Sequence, residues 1–112
     1  MPQQSADILV TGENLWFTER YLSVFDFVEL FPADALSDDD QRGVPVRMQT
    51  DRGFVIETDI DRAKMQIRNR SKLHGWTRFT TEHGLRTGDR IRIEKTGERD
   101  FSLQLIREDA PV

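Results

Sequence analysis

The sequence predicts a mainly β fold: one domain, a barrel or sandwich of about six or seven strands, with two short helices at fixed places. Three observations carry this. Apolar and polar residues alternate with period two in "VPVRM", "AKMQIR", "RIRIEK" and "FSLQLI". Glycine-containing turns separate such runs, and helical signals are confined to two brief stretches. A chain of 112 residues suits a single core spanning residues 1–112 and is short for two.

The N-terminal stretch "MPQQSADILVTGEN" has no basic segment leading into an apolar run. No segment approaches the roughly 18 to 20 apolar residues of a membrane span, so a soluble, cytoplasmic protein without membrane contact is expected. Residues 1–8 and 107–112 are expected to fray. "YLSVFDFVELF" fits a strand, with Leu22, Val24, Val28 and Leu30 on one face, or a helix; its aromatic and β-branched content favours the strand. Pro32 then opens a short helix in "PADAL", followed by the acidic loop "SDDD".

"VPVRMQTDRGFVIETDI" reads as a hairpin, with Val44, Val46 and Met48 on one face and a turn through Gly53. Pro45 cannot donate to a ladder, so its strand either lies at an edge or begins there. In "AKMQIRNR", Met65 and Ile67 point one way and Lys64, Gln66, Arg68 and Arg70 the other. "GWTRFTTEHG" is a second short helix, with Trp76 and Phe79 on one side as core anchors and Gly84 as terminator. Gly88 and Asp89 make a tight turn into the last hairpin, residues 90–106, in which Ile91, Ile93, Phe101, Leu103 and Leu105 face inward.

Catalytic and metal-binding patterns are poorly represented. The chain has no cysteine, and its two histidines, His74 and His83, do not share a ligand spacing. His83, at a helix end, is expected to meet the terminal carbonyls. "SDDD" lacks the spacing of a calcium loop and reads as a solvated loop. There is no glycine-rich phosphate loop, and no nucleophile with a nearby base can be named. The expectation is a protein that is not an enzyme and needs no cofactor or metal.

One feature resists a purely structural account. The formal net charge is −4, yet "RAKMQIRNRSK", residues 62–72, gathers five of the sixteen Lys and Arg residues. Such a row on a strand can be a solvated edge, where charge prevents aggregation. It can also be a reading surface, since Gln66 and Asn69 are side chains able to pair with an adenine edge as Arg pairs with guanine.

"LHGWTRFTTEHGLRTGDRIRIEK" resembles the plant B-three DNA-binding domain through Gly75, Trp76, Phe79, Leu85, Gly88 and Asp89. "LFPADAL" is similar to that family's proline-led helix, and the resemblance spans about residues 20–106. The same fold is known as the effector domain of EcoRII-type restriction endonucleases. The resemblance implies a seven-stranded open pseudobarrel with two short helices that grips double-stranded DNA in the major groove between two arms. The second arm corresponds to residues 62–72, so Arg62, Lys64, Gln66, Arg68, Asn69, Arg70 and Lys72 become candidate DNA contacts. Arg68, Asn69 and Arg70 are expected at base edges, and Arg62, Lys64 and Lys72 at phosphates. The sequence departs from the family at the first arm, where "SVFDFVEL" and Asp34 are apolar and acidic and only Arg20 is basic nearby. The alternative is a protein-interaction module on the same barrel, its basic row turned to an acidic partner.

Overall fold

The computed structural model describes residues 4–38, 40–69 and 73–107. Within them the strands are β1 (Ser5–Leu9), β2 (Val46–Thr50), β3 (Val55–Thr58), β4 (Ile60–Asp61), β5 (Gln66–Ile67), β6 (Arg90–Lys95) and β7 (Asp100–Ile106). Helix α1 (Leu15–Arg20) follows β1, α2 (Trp76–His83) precedes β6, and 3-10 turns occupy Phe25–Leu30 and Ala33–Ala35. Five strands form a mixed sheet in the order β1-β6-β7-β2-β3, and β4 pairs with β5 alone. The fold is therefore mainly β, and among the described residues the strands do not join into a closed ring. No helix there is long and apolar enough to cross a membrane.

The two long hairpins follow the period-two pattern. In β6–β7, Ile93 lies opposite Leu103, and Ile91, Ile93, Phe101 and Leu103 are buried. In β2–β3, Val46, Met48 and Ile56 fill the same core, and Gly53 turns the chain at φ 87°, a conformation that disfavours a Cβ. Pro45 immediately precedes β2, so its missing N–H falls outside the ladder. The strand itself is interior, antiparallel to β3 and parallel to β7. Val44 is exposed and donates its N–H to the Asp34 carbonyl, so the buried face starts at Val46.

Residues 21–31 depart from the expected strand. Residues 22–24 make a single bridge alongside β5, in which the Leu22 carbonyl accepts from Ile67 N and Val24 N donates to the Met65 carbonyl. From Phe25 the chain coils, burying Phe27 and Leu30 and leaving Phe25 68% exposed. Val24, Phe27, Leu30 and Phe31 recur every three or four residues or lie side by side. That helical spacing was masked by β-favouring residue types. The Pro32-led helix is a single 3-10 turn, and the longer first helix is α1.

Part of the N-terminal stretch expected to fray forms a strand. Residues 5–9 pair with β6 from Ser5 opposite Glu94 to Leu9 opposite Arg90, covering what would otherwise be an open edge. Residues 1–3 and 108–112 lie outside the described residues.

Helix α2 is anchored through its aromatic face. Trp76 is buried, stacks on Phe79 with centroids 5.3 Å apart, and donates its indole N–H to the Thr18 carbonyl at 2.8 Å. Thr80 Oγ1 donates to the Glu19 carbonyl at 2.7 Å, completing the contact between α2 and α1. Gly84, at φ 61°, ends the helix as its sequence position predicts. His83 does not meet the terminal carbonyls; its Nε2 lies 2.6 Å from Asp51 Oδ1. Arg107 takes that role, its Nη2 donating to the carbonyls of His83 and Gly84 at 3.2 and 3.1 Å.

Asp89 is buried and structural. It accepts Arg86 N at 2.9 Å, and Arg107 donates to both of its oxygens at 2.8 and 2.7 Å. Hydrogen bonding to Arg107 holds the Asp89 carboxyl below its ordinary pKa against the opposing effect of burial. A folded-state pKa below the unfolded value stabilises the protein above about pH 3.9, and that contribution is lost as pH falls through the folded value. Replacing Asp89 by Asn should therefore lower stability at neutral pH. Urea titrations from about pH 7 down to about pH 3 should show the gap to the parent protein narrowing at the acid end.

Candidate functional site

A single residue, Asp59, separates β3 from β4, and it is fully buried. Its Oδ2 accepts Gly43 N at 2.7 Å and Arg68 Nε at 3.2 Å, and its carbonyl accepts Arg68 N at 3.0 Å. Arg68 also donates through Nη2 to Ser37 Oγ at 3.0 Å, while its carbonyl accepts Thr58 Oγ1 at 2.6 Å. A buried carboxylate needs this degree of pairing to remain charged. Arg68 is expected at a base edge; in the structure its guanidinium is bonded to Asp59 and Ser37.

The hairpin that Asp59 launches is shorter and more sharply turned than an unbroken strand over "AKMQIRNR". Asp61 Oδ1 accepts the N–H groups of Ala63 and Lys64 at 3.0 and 3.3 Å, and the Asp61 carbonyl accepts Met65 N at 2.7 Å. Met65 adopts φ 53°, a left-handed value uncommon for a residue with a Cβ. The tip therefore lies at residues 62–65, and only Gln66 and Ile67 form β5. The signal was Asp61 itself, whose short side chain competes for the next backbone amides. Period-two alternation holds locally, with Ile67 buried and Gln66 and Arg68 more open.

An open groove of about 420 Å³ lies against this hairpin, lined by Lys64, Gln66 and Asn69 from the hairpin side, Tyr21 from the end of α1, and Arg42 from the loop before β2. Among the described residues, no side chain or backbone group is bonded to the polar ends of Arg42, Lys64, Gln66 or Asn69. Elsewhere arginines are engaged: Arg47 with Asp100, Arg78 with Glu82, Arg92 with Asp7 and Arg99 with Asp34. The groove thus sets two cations, two amides and an aromatic ring with spare hydrogen-bonding capacity around the Asp61 carboxylate, whose Oδ1 is held by the turn amides.

The predicted contacts divide among three locations. Lys64, Gln66 and Asn69 share the groove with Arg68, whose head group is already bound. Arg62 turns to the other side, donating Nε to the Ser37 carbonyl at 2.9 Å beside a separate depression of about 160 Å³. Arg70 and Lys72 lie outside the described residues. The sequence reading missed Arg42 and Tyr21. Arg42 sits in a loop dominated by aspartates and reaches the hairpin because the adjacent Gly43 N–H docks on Asp59. Tyr21 is brought in because the next residue, Leu22, pairs with Ile67. Among the described residues no group of three His, Asp or Glu side chains could hold a metal ion.

No family model and no curated protein matches the chain. Its structure is similar to that of a hypothetical protein of Arabidopsis thaliana, At1g16640.1, with a TM-score of 0.60 and 16% sequence identity over 94% of this chain and 91% of that one. At this identity the likeness is one of fold.

Removing one partner of a buried ion pair leaves the other uncompensated, so Arg68→Ala should cost about 3 kcal/mol in urea unfolding. Gly43→Ala should also destabilise, by ~1 to 3 kcal/mol, because overpacking is costly where the backbone cannot yield; a Cβ there would lie 2.1 Å from the Ala35 carbonyl oxygen. Lys64→Ala should change stability by less than ~0.5 kcal/mol, as expected of an exposed, unpaired side chain.

Proposed function

We propose that the protein is a non-enzymatic, sequence-preferring module for double-stranded DNA, built on an open pseudobarrel and facing the major groove with the β4–β5 hairpin. The observation that carries this reading is the convergence of Arg42, Lys64, Gln66 and Asn69, without partners among the described residues, on one groove. Gln66 and Asn69 are suited to the paired donor and acceptor of an adenine edge, and Lys64 and Arg42 to flanking phosphates. Arg62 adds a phosphate contact on the far side of the turn, and Arg70 and Lys72 follow in sequence. The resemblance to the plant B-three domain and the fold likeness to an Arabidopsis protein both support a pseudobarrel. The net negative charge confines attraction for DNA to this region.

Fluorescence anisotropy with mixed-sequence and selected duplexes tests the reading. About four phosphates neutralised should give a slope of log K against log salt near −3.6. Arg42→Ala and Lys64→Ala should weaken all duplexes alike and each flatten that slope by about 0.9. A Gln66→Ala/Asn69→Ala double variant should instead lose discrimination at particular base pairs, by ~1 to 3 kcal/mol. Absence of binding to any duplex at low salt would overturn the reading in favour of a protein-interaction module on the same fold.

A further inference from the structure

We propose that the open seam between β1 and residues 22–24 is a docking site for an extended, cationic peptide segment of another protein, which adds there as a strand. The inference is independent of DNA binding and rests on where backbone hydrogen bonds point. Gln4 O accepts from Lys95 N and Val10 N donates to Asp89 O, so the even-numbered residues of β1 bond to β6. Antiparallel pairing alternates, which turns the N–H and carbonyl of Asp7 away from β6. On the facing wall, Leu22 and Val24 direct their backbone groups to β5, which turns those of Ser23 away from it. Asp7 and Ser23 line one cleft of about 300 Å³, so their outward-turned backbone groups, without a bond among the described residues, border the same space. The Leu9 carbonyl, at one end, is already taken by Asn14 Nδ2 at 3.0 Å.

Side chains define the occupant. Phe17 and Phe27 give the cleft an apolar lining, and Asp26 adds an exposed carboxylate with no partner among the described residues. Asp7, on the same cleft, is already neutralised by Arg92 at 2.9 Å. The Asp26 carboxylate disfavours a phosphate backbone and favours Lys or Arg on the incoming segment. In strand addition, main-chain bonds supply affinity and alternate side chains supply selectivity. Here one side chain would enter against the phenylalanines and another, two residues along, would reach Asp26.

The test uses the full chain and an end-blocked heptapeptide of alternating Lys and Val. Heteronuclear NMR should show Asp7, Ser23 and Asp26 shifting on titration, and fluorescence anisotropy should give the affinity. N-methylation of alternate peptide amides, which keeps charge and removes donors, should abolish binding. Asp26→Lys should weaken the Lys–Val peptide about tenfold and allow the corresponding Glu–Val peptide to bind, with duplex binding unchanged. The proposal is overturned if no shifts occur at these residues, if shifts fall on the β3 edge, if N-methylation or Asp26→Lys has no effect, or if a second copy of the chain occupies the seam without peptide.

Discussion

The junction between the two sheets rests on one carboxylate that has no access to water. Asp59 sits where β3 ends and β4 begins, and the removal of its charge from solvent is offset by bonds that include those of Gly43 N and Arg68 Nε. Those same bonds fix three separate segments relative to one another. Arg68 secures the return limb of the hairpin, Gly43 carries the preceding loop into contact, and Ser37, just after the second 3-10 turn, bonds to Arg68. The positions of Arg42 and of the hairpin's return limb at the candidate groove follow from these bonds. A glycine is required at the docking point because the Ala35 carbonyl occupies the space a Cβ would need.

Charge is distributed along the same division between scaffold and surface. Arginines that bridge strands or helices are matched with aspartate or glutamate, as with Arg107 on Asp89 and Arg92 on Asp7. Around the hairpin only Arg68 is matched in this way among the described residues, and Arg42 and Lys64 stand beside amides that bond to nothing within the described fold. An acidic protein can present a compact attractive site in this way without coating nucleic acid indiscriminately. The opposite face of residues 21–27 has the reverse character, apolar and acidic.

Much of this was legible in the sequence because period-two alternation survives wherever a strand has one buried face. The hairpins at 46–58 and 90–106 and the helix led by Trp76 follow from pattern and turn chemistry alone. What escaped depended on partners distant in sequence. β1 is a short strand whose value comes from covering β6, and residues 25–30 coil because their apolar spacing suits the core better than their β-favouring side chains suit a sheet. The basic stretch was legible as composition and only partly as geometry. Alternation placed Gln66 and Arg68 together, but nothing local revealed that Arg68 neutralises an aspartate nine residues earlier. Arg42 was invisible for the same reason, since its relevance passes through the Gly43–Asp59 bond.

The most direct test of the central claim, that Asp59 assembles a DNA-reading groove from the hairpin and the Arg42 loop, is an NMR titration of the full chain with mixed-sequence duplex at low salt. The account predicts that Tyr21, Arg42, Lys64, Gln66 and Asn69 shift first and together, that added salt reverses the shifts, and that Asp7 and Asp26 stay unmoved. Shifts centred on any other face, or none at saturating duplex, would contradict it.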